Sequence, residues 1–306
     1  MNDDKIESIA REILTEFRRY RRGRWWARAF WAILILALIF FPMVKDLHTD
    51  VGRHSALIDL SGVIGIGEDA SSDRINEGLR AAFESSSVKG VILRVNSPGG
   101  SPVQSRQINQ EIARLRSLHP DIPVYTVVEE ICASGAYYVA VASDRIFVDP
   151  ASLVGSIGVR LDSFGLVEAL EKLGIERRLF TAGSRKGALD PFLPLQKDDV
   201  EFVESLIEPV HRQFIEAVEK GRGERLNPGD TNLFSGMIWG GEEALQLGLA
   251  DDYGTVDSVA RDIIGEEQIV DYTPGYDLFE EISRELSMQF SLVLTRIIEK
   301  TGWRLQ

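Results

Sequence analysis

Uninterrupted apolar runs alternate with segments of helical period along most of this 306-residue chain. Strand-like runs fall at Ser55–Ile64, Gly90–Val95, Pro123–Val128, Arg145–Val148 and Glu176–Phe180. Between them, apolar residues recur every three or four positions over Asp73–Ser85, Gln104–Leu118, Gly135–Ala142 and Leu166–Leu173, a spacing that predicts amphipathic helices. Strands apolar on both faces and separated by helices belong in a mostly parallel, covered sheet, so the pattern predicts an α/β domain. Strand starts near residues 57, 91 and 124 suggest a repeating βα unit with no sequence repeat behind it. Further on, Lys197–Gly221 reads as one long helix with a solvated charged face, closed by Gly221-Arg222-Gly223. Ile238-Trp239-Gly240-Gly241 introduces a short helix ending at Gly248. In the last segment, 276–306, Phe279, Ile282, Leu286, Phe290, Leu294 and Ile298 form the stripe of an amphipathic helix, expected to pack on its own domain or a neighbouring subunit.

The N-terminus follows another pattern. Ala29–Val44 is sixteen residues without a charge, preceded by Trp25, Trp26 and the cluster Arg18, Arg19, Arg21, Arg22, Arg24 and Arg28. An apolar run with interfacial tryptophans and flanking arginines predicts a transmembrane segment with its N-terminal side in the cytoplasm. The run ends Phe40-Phe41-Pro42-Met43-Val44 and lacks the small residues of a cleavage site, which favours an uncleaved signal anchor.

Composition narrows the function classes. A hydrophobic content of 44% supports one large domain or two small ones, and a single cysteine excludes an intramolecular disulfide framework and argues against a cysteine-based metal site. The formal charge is -13, yet residues 1–28 hold eight Lys/Arg against five Asp/Glu, a net +3 that leaves -16 on the remainder. An acidic body of this kind is a poor binder of nucleic acid.

The candidate chemistry lies in two glycine motifs and a lysine. Ser134 in Ile131-Cys132-Ala133-Ser134-Gly135-Ala136-Tyr137-Tyr138 is a nucleophile if a base takes its proton, and a lysine held neutral by burial can be that base. Lys186 in Gly183-Ser184-Arg185-Lys186-Gly187 is the candidate. Asn96-Ser97-Pro98-Gly99-Gly100 follows a strand, where two glycines let the backbone turn and aim an N–H outward at an oxyanion. Simpler roles stand beside these: a turn for the glycines, an N-cap for Ser134, a surface position for Lys186, a turn end for Ser156 and a small buried filler for Cys132. The four histidines, His48, His54, His119 and His211, supply a Ser-His-Asp arrangement poorly.

Taken in order, NSPGGSPVQ, ASGAYYVA, VGSIGV and GSRKGALDPF resemble the motifs of the signal peptide peptidase A family, over roughly residues 55–275. The resemblance implies a Clp protease/crotonase-like spiral of ββα units in an α/β fold, with an N-terminal transmembrane helix. It implies Ser134 as nucleophile, Lys186 as general base, Ser156 hydrogen-bonded to the lysine amine, and the N–H groups of Gly100 and Gly135 as the oxyanion hole. No cofactor or metal is implied. The expected organisation is a cytoplasmic basic segment (1–28), a signal anchor (29–44), a peptidase domain (55–275) and a helical extension (276–306). Short members resemble halves of longer ones arranged as a homo-oligomeric ring, taken as an octamer, in which Ser134 of one protomer meets Lys186 of its neighbour. Substrates would be apolar peptides such as cleaved signal peptides, at a bacterial inner membrane with the catalytic domain on the periplasmic side. Two other classes are a crotonase-like acyl-CoA enzyme and a catalytically idle scaffold that binds membrane-protein segments.

Overall fold

Three strands, β1 (His54–Ser61), β2 (Val88–Ser97) and β3 (Val124–Ala133), lie side by side and parallel at the centre of a computed structural model. The structure describes residues 30, 31, 33, 52–183, 185–227 and 232–275. Because side chains alternate across a strand, Ala56, Ile58 and Leu60 enter one apolar core and Leu57 enters the opposite one. The larger core is covered by α1 (Ser72–Glu84) through Ile75, Leu79 and Phe83, and by α2 (Pro102–Leu118) through Ile108, Ile112 and Leu115. Phe147, Ile92 and Val127 meet Val259 and Ala260 on the other face. Burial on both sides explains why these strands read as continuous apolar runs.

The remaining strands extend this sheet. β8 (Ile269–Asp271) flanks β1, while the far edge of β3 is shared in sequence by β4 (Arg145–Val148) and β5 (Leu153–Gly155). β7 (Asp252–Tyr253) pairs with β4, and β6 (Ile238–Gly240) with β5 in the single antiparallel pairing among the described residues. The predicted α/β class with a mostly parallel sheet is therefore what the chain forms.

Helices α3 (Gly135–Ala140), α4 (Val167–Lys172), α5 (Lys197–Arg222) and α6 (Gly241–Gln246) complete the main elements. The C-terminal half of α5 is clamped. Buried Arg222 donates from Nη1 and Nη2 to Asp251 at 2.7 and 2.9 Å and from Nε to the Gly248 carbonyl at 2.8 Å. Asp251 also accepts from the Ile146 amide at 2.7 Å, tying α5 to β4. Burial pulls the Asp251 carboxyl upward; the bond and charge of Arg222, the Ile146 amide and the charge of Arg225 together outweigh that and hold it below the usual carboxylate range.

Two expectations are corrected. Glu176–Phe180 forms no strand and is exposed, with Phe180 at 92%. β1 stops at Ser61 rather than Ile64, because Gly62 turns the chain at φ 83. The short strands β5 to β8 have no counterpart in the sequence pattern.

The chain divides into two units, Met1–Gly52 and Arg53–Gln306. In the first, Phe30, Trp31 and Ile33 are helical and exposed, and the two rings meet edge to face. The basic segment 1–28, the rest of the expected anchor 29–44 and the stripe from Phe279 to Ile298 lie outside the described residues. Among the described residues, no helix is long and apolar enough to cross a membrane.

Candidate active site

Sheet register brings the two glycine motifs together. β2 and β3 shift register after Val95, and Ser97 then pairs with Cys132. Both chains leave the sheet from adjacent carboxyl ends, where open α/β sheets hold their ligands. Ser97 Oγ accepts from the Gly99 amide at 3.1 Å, and the Gly99 carbonyl accepts from Ile64 at 2.9 Å, so the first motif is braced by the segment after β1.

Ser134 sits between β3 and α3 with φ 54 and ψ -123, a left-handed conformation that costs a non-glycine residue strain. Two backbone bonds hold it there: its N–H donates to the Gly155 carbonyl at 2.8 Å and its carbonyl accepts from Tyr138 at 3.0 Å. The hydroxyl makes no capping bond to the helix, so the N-cap role does not occupy it. A Cβ added to Gly135 would strike Ser105 Oγ and lie 3.2 Å from the Gly100 nitrogen; one added to Gly100 would run into the Ile64 carbonyl. Glycine is thus required at both positions for the backbones to approach. Neither the Gly100 nor the Gly135 N–H has an acceptor among the described residues. Two open donors beside a serine hydroxyl are what a developing oxyanion needs.

These groups border a cleft of about 40 Å³ closed by Tyr138, Val159 and Phe214. No His, Lys, Asp or Glu lines it among the described residues. Ser156, with φ 53, follows the Gly155 that receives the Ser134 amide, and its own amide donates to the Met237 carbonyl at 2.6 Å. Lys186 is elsewhere: exposed, on a turn closed by its amide bond to Gly183 at 3.1 Å, and not among the residues lining the serine cleft. The chain therefore gathers Ser134, Gly100, Gly135 and the Ser156 backbone and leaves Lys186 apart from them.

Lys186 belongs to an unusual stretch. From Gly158 to Gln213 no described residue is buried, while Leu161, Phe164, Leu173, Ile175, Phe180 and Leu195 expose apolar side chains.

Other candidates take structural places. Cys132 is fully buried, and burial pushes its thiol up, so it is an inert filler. His54 stacks on Tyr272, His119 lies against the Phe83 ring, and His211 Nε2 bonds the Ile157 carbonyl at 3.2 Å. His48 lies outside the described residues. Sequence reasoning assigned no role to Ser105, Arg106, Tyr138, Gln213 or Phe214, all of which border the cleft. Tyr138 stood inside a quoted motif, whereas Gln213 and Phe214 carried no local signal because a distant helix delivers them.

A model described as Peptidase family S49 matches residues 116–269. A Brucella melitensis protein named Na(+)/H(+) antiporter NhaA is 44% identical over 189 residues, covering 62% of this chain and 25% of that one. Protease 4 of Haemophilus influenzae is 32% identical over 228 residues, covering 72% of this chain and 36% of its own. Among solved structures, a mutant of the 1510-N membrane-bound stomatin-specific protease aligns at a TM-score of 0.42 and 14% identity, over 74% of this chain and 100% of that one. The chain spans 25% to 60% of the length of the relatives that it matches at 33% identity or more. With the family model covering about half of the sequence, the chain belongs to peptidase family S49.

Proposed function

We propose that this chain is a membrane-anchored serine endopeptidase that cuts apolar peptides, cleaved signal peptides among them, with a Ser134/Lys186 dyad completed between subunits. The observation that carries the reading is Ser134 held in a strained turn with an uncapped hydroxyl beside the two open donors of Gly100 and Gly135. Among the described residues the cleft has no carboxylate for the acid–base work of a crotonase-like enzyme, and a scaffold has no need of a strained serine. The shared edge of β3, which turns from β4 to β5 just before the nucleophile, suits the spiral ββα fold of Clp protease and crotonase.

The chemistry follows. Ser134 Oγ attacks the scissile carbonyl as its proton passes to the lysine amine, and the Gly100 and Gly135 N–H groups stabilise the oxyanion. Collapse breaks the C–N bond, and the lysine returns the proton to the leaving amine. Water, deprotonated by the same lysine, then hydrolyses the acyl-enzyme.

No base lines the cleft among the described residues of one chain, and the exposed lysine is carried on a stretch whose apolar surface calls for a cover. A second copy satisfies both needs: its own Lys186 enters the cleft as the two arms are buried, in a closed homo-oligomeric ring. Ser156 then lies on the nucleophile's side, positioned to bond the incoming amine. Mixing Ser134→Ala and Lys186→Ala chains under subunit exchange should restore part of the activity that each lacks alone. Verified mixed oligomers without activity would refute the shared site.

A further inference from the structure

The Ser134 cleft does not end blindly. At Arg106, Tyr138 and Gln213 it adjoins a wider groove of about 570 Å³ that lies between α2 and α5 and shares those three residues. Tyr138 is fixed at the junction: its carbonyl accepts from Asn109 Nδ2 at 2.8 Å and its ring leans on Phe214 at 5.2 Å.

The charge of this groove runs against that of the chain. Four cations, Arg106, Arg116, Lys220 and Arg225, line it with two carboxylates, Asp144 and Glu216, in a protein of net charge -13. Two cations are engaged: Arg116 pairs with Asp144, and Arg225 donates to Asp251 at 3.2 Å and to the Asp144 carbonyl at 3.0 Å. Arg106 and Lys220 have no ion-pair partner among the described residues. Concave walls focus the field of such charges, and a guanidinium is shaped to take a carboxylate through two parallel N–H bonds.

We propose that this groove binds a carboxylate of the peptide whose scissile bond lies at Ser134, with Arg106 at the junction and Lys220 along the wall as its cations. The proposal rests on the peptidase reading and adds a selection rule to it. A peptide already released by an earlier cut ends in a free carboxylate close to its apolar part, whereas an intact chain does not. The groove therefore favours fragments over whole proteins. An acidic side chain near the cut offers the same chemistry, and the test separates the two sources.

Binding can be read without turnover on the full chain in detergent carrying Ser134→Ala. The probes are fluorescein-labelled apolar decapeptides of one sequence: free C-terminal acid, C-terminal amide, and the amide with one glutamate near its end. By fluorescence anisotropy the free acid should bind about tenfold more tightly than the amide, the scale of one charge-assisted contact at a partly exposed site. That preference should shrink in high salt and vanish with Arg106→Gln/Lys220→Gln, which weakens binding of the acid more than that of the amide. Arg106→Lys keeps part of it, because a charge remains. If the glutamate amide matches the acid, side chains are a source as well; if it matches the plain amide, the terminus alone is read. Equal binding of all three, no binding of the acid, or equal weakening of acid and amide by the double variant overturns the proposal. Hydrolysis by the chain with Ser134 intact is scored separately. Ser134-dependent cleavage without carboxylate preference sinks the groove and leaves the peptidase, and preference without cleavage does the reverse.

Discussion

Replacing Ser134 by glycine should stabilise the protein relative to replacing it by alanine, although both variants lose the nucleophile. The two substitutions remove the same hydroxyl and differ in what the backbone tolerates at φ 54 and ψ -123. An L-residue held in such a region costs about 1 to 3 kcal/mol. Glycine escapes that strain but loses roughly 0.5 to 1 kcal/mol more conformational entropy on folding. It also gives up a half-buried methyl group, roughly 0.4 kcal/mol at half of the usual value per carbon. Taking the strain at its middle value, the glycine variant should be more stable by about 1 kcal/mol, or roughly 2 to 4 °C in Tm for a domain of this size. Thermal unfolding of the full chain in detergent, followed by far-ultraviolet circular dichroism at matched concentration, reads the difference. An alanine variant more stable than the glycine one by about 1 kcal/mol would show that the turn stores no strain, and the preorganisation argued for the nucleophile would fail with it.

Two further outcomes test separate parts of the molecule. Arg114 and then Arg80 hold the Glu111 carboxyl down to about 2 from 4.5, so the stability that it contributes is complete above pH 4.5 and is lost as the pH falls toward 2. Glu111→Gln should accordingly lower Tm at neutral pH and flatten its decline across that window; parallel curves for the two proteins would refute the coupling. A reporter fused after Asp50 should be active only outside the cytoplasm, because arginines precede the apolar run. A cytoplasmic signal would overturn the proposed topology.

The central sheet was legible in the sequence because its physics is local. Buried parallel strands must be apolar on both faces, and β1 to β4 are. Motif order also located the turns that carry Ser134, Gly100 and Gly135. Glu176–Phe180 misled because Ile175, Leu179 and Phe180 look like a buried strand but are exposed in a single chain. Periodicity reports that a surface needs covering, not what covers it. β5 to β8 are two or three residues long, too short for any period to register. The wall of the cleft was illegible for another reason: Gln213 and Phe214 reach it through the docking of α5, whose Phe214 and Val218 enter the core and whose Arg222 bonds Asp251, a tertiary event without a local signature. Lys186 does not line the Ser134 cleft of its own chain; the expectation of the pair came from the chemistry of a lysine base together with the resemblance, and neither says which chain supplies the lysine.

The contrast between β3 and the stretch from Gly158 to Gln213 implies two tiers of local stability in one molecule. The Ser134 amide prolongs a ladder flanked by β2 and β5, so freeing it requires the centre of the sheet to open. The other stretch has no buried residue among those described, and segments of that kind open at the lowest free energies in a protein. In a single chain, heat or a foreign protease therefore acts first at the surface that bears Lys186. The serine and its two donors outlast it, leaving a form that retains the reactive turn after the rest of the machinery has gone.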